Sequence, residues 1–287
     1  MSCTVCPRNC AHREGGFCGV GGEVIVGRVA PHFWEEPVIS GTRGSGTVFF
    51  SGCNLRCVFC QNRAISKALV GKKISERELD ERIRALVDAG VHNINFVTPT
   101  HYALFLADFL EKYHYPVPIV YNCSGYESEQ SLEALRGKVD IFMPDFKYSD
   151  DVLALRYSAV LHYVHTAKWA IEKMYELAGD ITYDAQGIMQ KGVIVRHMML
   201  PNALENTMGV IDMFDTLTHG KKMLFSLMSQ YTPYGELSAF PELRRKITKE
   251  EYDKALSYTA LLGIDGFCQE LDSAGEIYIP PFSNTLD

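Results

Sequence analysis

The chain has no apolar run approaching the roughly 18 residues needed to cross a bilayer, and its opening MSCTVCPRNC lacks the apolar core of a secretory signal. No membrane contact is expected, and a cytoplasmic location is. An excess of basic residues is also missing. Lys and Arg number 28 against 35 Asp and Glu, a net charge of −7, which argues against nucleic acid as a partner. The nine histidines are scattered, with no H-E-x-x-H or similar spacing, so hydrolytic metal chemistry is not indicated. GTRGSG at 41–46 leads into an apolar run and does not join a strand to a helix, which makes it a poor phosphate loop. What remains is a 287-residue chain that is 47% apolar and 22% charged. That composition suits one large packed α/β domain with a small appendage.

Against these absences stand nine cysteines, seven of them within the first 60 residues. In a reducing compartment, clustered cysteines are metal ligands more often than disulfides, and an odd total fits a fully paired framework poorly. They fall into two sets. Cys3, Cys6, Cys10 and Cys18 open the chain, and Cys53, Cys57 and Cys60 follow; Cys123 and Cys268 are read as ordinary buried thiols, with Cys123 close to the expected site.

After residue 46 the sequence alternates. The apolar runs TVFFSG, INFVTPT, PIVYNCSG, DIFMPDFK, VIVRHMMLP and MLFSLMSQY are separated by stretches with helical character. Near-continuous apolar strands are what a parallel sheet covered on both faces requires. Ser75 and Glu78 signal a helix start by capping box, with Ile74 and Leu79 as the staple and Gly90 as the stop; Thr248 and Glu251 repeat the device. The stretch from SDDVLALRYS to MYELAG reads as one long crossover helix. Six strand–helix repeats in about 220 residues predict an α/β fold, an incomplete (β/α)6 TIM-like barrel, with a doubly wound sheet as the alternative. The short N-terminal cysteine-rich metal-binding segment is placed at 1–45 and the barrel domain at 46–287. In either fold, ligand-handling residues belong at the C-terminal ends of the strands.

Cys53, Cys57 and Cys60 follow the first apolar run, where that rule puts the site. A structural zinc site takes four protein ligands and an ordinary 4Fe–4S cluster four cysteines. Three cysteines on one loop can hold three irons and leave the fourth open, the mark of a site that binds a substrate or cofactor. The alternative is a zinc site completed by a distant His or Asp.

The C-x3-C-x2-C loop after a first strand resembles the signature of the radical S-adenosylmethionine (SAM) superfamily. The resemblance implies a 4Fe–4S cluster on Cys53, Cys57 and Cys60 that reductively cleaves SAM to a 5′-deoxyadenosyl radical, which abstracts hydrogen from a substrate. It also places Phe59 near the adenine. FVTPTHY stands where most members carry a Gly-Gly-Glu-like stretch for the SAM amino group, and Thr98 and Thr100 are the substitutes. MPDFK is similar to the pyruvate formate-lyase-activating enzymes, which implies roles beside SAM for Met143, Asp145 and Lys147, Asp145 helping to hold a monovalent cation. Those enzymes carry an acidic residue near the position of Asn122 and Cys123, and Asn122 is expected among the cofactor contacts. Arg196 is placed to meet the SAM carboxylate, with the neighbouring His197 turned to the other face of the strand. Gln230 and Tyr231 are candidates for adenosine or substrate contacts. Together the motifs resemble the PflX-type branch of these activating enzymes over essentially the whole chain.

Cys3, Cys6, Cys10 and Cys18, spaced C-x2-C-x3-C-x7-C, form a second metal set for zinc or an Fe–S cluster. The expected whole is a monomeric radical SAM oxidoreductase that takes electrons from a flavodoxin or ferredoxin and activates a glycyl radical enzyme. Modification of a peptide or small molecule is one alternative. A non-catalytic Fe–S or zinc protein serving electron transfer or as a scaffold is another, and an open iron position argues against it.

Overall fold

The computed structural model describes residues 3–10, 15–271, 280 and 282. Strand β1 (Ile25–His32) leads through the short helix α1 (Pro37–Ser40) into β2 (Ser45–Phe50). Then come α2 (Arg63–Ser66), β3 (Lys72–Lys73), α3 (Glu76–Asp88), β4 (Ile94–Val97), α4 (Ala103–Lys112), β5 (Ile119–Cys123), α5 (Glu129–Ala134) and β6 (Ile141–Pro144). Helices α6 (Asp151–Ser158) and α7 (Tyr163–Ala178) precede β7 (Thr182–Tyr183) and β8 (Met189–Met198); α8 (Leu204–Thr218), β9 (Leu224–Met228), α9 (Lys249–Leu262) and β10 (Gly266–Cys268) complete the order.

The sheet runs β10-β9-β8-β6-β5-β4-β2-β1-β3, with β7 paired to β8. All six expected strands are present as β2, β4, β5, β6, β8 and β9, each parallel to the next in that series. β10 adds a short seventh parallel strand. On the other side β1 lies antiparallel on β2, so residues 25–32, inside the expected N-terminal segment, belong to the sheet. The result is a mostly parallel α/β sheet in the form of an incomplete TIM-like barrel, open between its two edges.

Strands β2, β4, β5 and β6 are buried along their whole length, as covering on both faces demands. Inside the barrel, Val120, Ile141, Met143 and Ile194 pack with Met189 around Ile39 from α1. The 33–44 connection is therefore a plug: it carries an apolar residue into the interior and, as shown below, a carboxylate into the site. The helix starts follow their signals. Ser75 accepts from the Glu78 amide, and Thr248 with Glu251 makes a full capping box.

The expected long crossover helix is instead two. Ala159 takes left-handed geometry at φ 51°, and so does His162 at φ 55°, so the chain breaks between α6 and α7 although no glycine or proline marks the place. Ile39→Ala removes a fully buried side chain from the interior and is expected to lower stability by about 2–5 kcal/mol, read as a reduced denaturation midpoint in urea.

Candidate active site

The loop after β2 is held from several sides before any ligand is considered. Gly52 turns it at φ 89°, and a Cβ there would meet the Val20 side chain at 2.6 Å and the Cys18 carbonyl at 2.9 Å, so only glycine serves. The break after α6 frees carbonyls that the loop uses. The Val58 amide donates to Tyr157 O at 2.8 Å and the Arg56 amide to Ser158 O at 3.3 Å. Asn54 pins the loop to the end of β5, donating to Tyr126 O at 2.8 Å and accepting from Ser124 Oγ at 3.1 Å.

So fixed, Cys53, Cys57 and Cys60 line one cavity of about 340 Å³. The Leu55 amide donates to Cys53 Sγ at 3.3 Å, Ser158 Oγ donates to Cys57 Sγ at 2.9 Å, and Ser66 Oγ lies 3.3 Å from Cys60 Sγ. Among the described residues no three His, Cys, Asp or Glu side chains converge tightly enough for a single metal ion. Each of the three thiols lining this cavity thus has a polar neighbour. Burial raises the Cys53 and Cys57 thiols, as it does any anion-forming group without a bound cation.

Across the cavity stands a charged array. Lys147 Nζ donates to Asp145 Oδ2 at 2.5 Å. Arg196 donates from Nε to Asp145 Oδ1 at 3.2 Å, from Nη1 to Glu35 Oε2 at 3.2 Å and from Nη2 to Asn122 Oδ1 at 2.5 Å. Glu35 Oε1 also accepts from Asn95 Nδ2 at 3.1 Å and Asn122 Nδ2 at 3.3 Å. Burial alone would raise the Asp145 carboxyl, but Lys147 and Arg196 together hold it below its ordinary value. Burial would likewise lower Lys147; Asp145, then Cys57, outweighs it and the ammonium titrates above its usual range. Glu35 moves up, because its desolvation exceeds what Arg196 and Asn95 return.

Of the residues expected at the site, Phe59, Thr98, Asn122, Asp145, Lys147, Arg196 and Gln230 line this cavity with the three cysteines. Cys123 lines it too. Thr98 follows β4 at φ 58°, a conformation unusual for a β-branched residue. Two expected contacts lie elsewhere. Thr100 opens a 3-10 turn and donates to Glu127 Oε1 at 2.6 Å; Met143 faces inward but is covered in the interior cluster with Ile39. His197 is fully buried on the other face of β8, its Nδ1 2.8 Å from Phe146 O. Tyr231 donates to Leu243 O at 2.7 Å and meets the Phe59 ring edge-on, so it backs the site without lining it. Cys268, expected as a buried thiol, is exposed, because β10 is a sheet edge.

Sequence reasoning missed Glu35. It comes from the connection before β2, where the strand-end rule does not look. The signal available was FWEEP, two carboxylates beside bulky apolar residues and a proline.

The chain belongs to the radical SAM superfamily, whose family model matches residues 47–201, more than half its length. It is 29% identical over 276 residues to the uncharacterised protein MJ0674 of Methanocaldococcus jannaschii, spanning 92% of this chain and 76% of that protein. Its fold is similar to that of the FeFe-hydrogenase maturase HydG from Carboxydothermus hydrogenoformans, with a TM-score of 0.53 at 14% identity over 85% of this chain and 62% of HydG. It is also similar to Streptococcus suis SuiB bound to S-adenosylmethionine, with a TM-score of 0.52 at 12% identity. That likeness covers 76% of this chain but only 47% of SuiB, so the chain spans about half the length of that enzyme. Membership of the superfamily implies a 4Fe–4S cluster, SAM binding and reductive cleavage of SAM, for which an external reductant is needed.

Behind the cavity wall, Glu127 is buried with Thr100 Oγ1 and Tyr121 Oη donating to its two oxygens. Burial pushes its carboxyl up to about 7, although Thr100, Tyr121 and Cys123 pull the other way. A carboxyl raised in the folded state contributes stability that is full below its unfolded value, near 4.3, and is lost as pH rises through 7. Stability is therefore expected to fall by about 3 kcal/mol between pH 4.5 and 7.5 from this group. Glu127→Gln should flatten that slope, measured by anaerobic urea denaturation across the interval.

Proposed function

We propose that Cys53, Cys57 and Cys60 hold three irons of a 4Fe–4S cluster, that the array opposite holds SAM, and that the hydrogen taken belongs to a glycine Cα of a partner protein. The observation that carries this reading is the meeting, in one cavity, of the three-thiol loop with the Asp145–Lys147 pair. When bound, the reduced cluster supplies one electron to SAM and yields a 5′-deoxyadenosyl radical and methionine.

The hydrogen bonds assign different tasks to the two cations. All three nitrogens of Arg196 already have acceptors on Asp145, Glu35 and Asn122. These bonds fix the guanidinium, and we assign Arg196 chiefly a positioning role, its remaining N–H donors standing beside Lys147 for the SAM carboxylate. Lys147 gives one of its three donors to Asp145 and lies close enough to Cys57 to feel its charge. It keeps donors for an incoming carboxylate, and we assign it that of SAM. Thr98 and Asn122 line the adjoining wall, Gln230 and Phe59 the side assigned to adenosine.

Glu35 bears on the choice of target. The activating enzymes carry an acidic residue near the place of Asn122, and here Glu35 Oε1 lies 3.3 Å from Asn122 Nδ2. An acidic group is thus supplied at that position by a different element. Together with Asp-x-Lys this supports a glycyl-radical activase, with a flavodoxin or ferredoxin as reductant.

Anaerobically reconstituted protein, reduced with SAM present, is expected to release 5′-deoxyadenosine, and Cys57→Ala should abolish the release. Lys147→Met should weaken SAM binding about 10- to 100-fold, the worth of a charged hydrogen bond, while leaving the iron content unchanged. A glycyl doublet in the EPR spectrum of a candidate partner would establish the activase. Absence of that signal with every glycyl radical enzyme of the same cell, while SAM is still cleaved, would assign the radical to another substrate.

A further inference from the structure

The cysteine loop lies in a stretch whose charge runs against that of the whole chain. From Pro37 to Ser75 there is no Asp or Glu, and six basic residues stand there in a protein of net charge −7. Lys72 and Lys73 are paired, with Glu78 at 2.8 Å and Glu23 at 2.6 Å, and Arg43 meets His92. Arg56, Arg63 and Lys67 take part in no ion pair among the described residues. Arg56 stands between Cys53 and Cys57, Arg63 opens α2 and Lys67 ends it. Arg56 and Lys67 are exposed, and Arg63 is half-buried. The three lie close together. Burial, then the Arg63 guanidinium, lowers the Lys67 ammonium; Cys60 and Cys57 pull the other way, and Arg56 adds to the repulsion. Like charges gathered in this way carry a cost that an acidic partner returns.

Arg56 is braced where it stands. Its Nη2 donates to Phe17 O at 2.9 Å, and the Phe17 ring carries both guanidinium groups, that of Arg56 at 4.4 Å and that of Arg8 at 3.5 Å. Arg8 Nε is tied in turn to Asn54 O at 2.8 Å. The N-terminal segment, whose Cys3, Cys6, Cys10 and Cys18 line a second cavity of about 220 Å³ on the far side of the loop, thus holds one charge of the group at the surface.

Beside Arg56 the chain also exposes apolar side chains. Helix α6 ends against the loop, the Arg56 amide donating to Ser158 O and Ser158 Oγ to Cys57 Sγ at 2.9 Å. Leu155, on its outer face, is 51% exposed, and Leu161, just past its break, 58%. The nearby acids are engaged. Glu242 takes Arg156 at 2.7 Å and Tyr157 Oη at 2.9 Å, and Glu236 is held below its usual value by Ser238 first, then by Arg244 and Arg63. Apolar side chains flanked by charge of one sign suit a small, transient protein interface. Its place narrows the partner. Cys60 is partly exposed, and electron transfer weakens steeply with distance, so a protein donor has to dock where the thiols come near the surface.

We propose that Arg56, Arg63 and Lys67, with Leu155 and Leu161 beside them, form the docking surface for an acidic one-electron donor protein of the flavodoxin or ferredoxin class. The surface rests on the reading of Cys53, Cys57 and Cys60 given above. The negative charge of the rest of the chain disfavours other approaches, so the patch orients the encounter as well as holding it. In the docked pair the donor loses one electron and the group held by the three cysteines gains it, with no change of bond or proton.

The test uses the anaerobically reconstituted protein and a flavodoxin. Carbodiimide coupling, which joins amines to carboxylates directly, should link Lys67 to an Asp or Glu of the flavodoxin, as read by mass spectrometry. Lys67→Glu breaks no side-chain hydrogen bond of the fold. At low salt it should weaken flavodoxin binding and slow reduction by flavodoxin about 10-fold, and Arg56→Glu/Lys67→Glu, checked for unchanged iron content, about 100-fold. Both differences should shrink as salt rises, and Lys67→Arg should behave as the unaltered protein. Reduction by the methyl viologen radical, a small cation, should not slow in either variant. Unchanged flavodoxin binding and rate in both variants would overturn the proposal. An equal loss with methyl viologen would also overturn it, by assigning the three cations to the reduction potential. Coupling and binding are read without SAM, so a protein that binds flavodoxin at Lys67 yet does not cleave SAM would count against the proposed function alone.

Discussion

A guanidinium taken out of water needs acceptors for its nitrogens, and Arg196 finds them on three separate elements: Glu35 before α1, Asn122 on β5 and Asp145 after β6. Its side chain is only 13% exposed, so none of these bonds is easily replaced by solvent. The geometry of the site hangs on this one hub. Remove the guanidinium and three polar groups around it lose their shared donor, a loss of about 3–5 kcal/mol when a buried pair is broken. The same contacts hold Asp145 in place for Lys147. The cation of β8 thus ties three elements of the site together.

The barrel was legible because its signals are local and repeated. Continuous apolar runs such as INFV and IFMP can bury both faces only in a parallel sheet, and all six expected strands are present. The cysteine loop was legible because chemistry fixes its spacing. Contacts that depend on tertiary placement were not legible. Met143 has the right face of β6 but lies a layer too deep, under Ile39. Thr100 sits at the right strand end, yet the 3-10 turn carries its hydroxyl to Glu127. Glu35 could not be found by looking along strands, since it arrives from a plug. Ala159 breaks a helix with a residue whose propensity favours continuing it, because the loop amides at 56 and 58 need the carbonyls that the break releases.

The two cysteine sets sit on opposite sides of one stretch of backbone, and Asn54 illustrates how economically that wall is built. Its amide side chain holds the end of β5 while its carbonyl receives Arg8. Gly52, two residues earlier, lets the Cys18 carbonyl approach to a distance that a Cβ would forbid. Each site therefore constrains the shape of the other.

The plug also sets an order of assembly. Glu35 and Arg196 are 161 residues apart in the chain, and closing a loop that long costs entropy which only the completed contacts return. On the ribosome Glu35 emerges 161 residues before its guanidinium and cannot meet it until β8 has followed. The strands after β2 must close around a segment made before them. A nascent chain can thus expose its cysteines well before it possesses the charged wall that faces them.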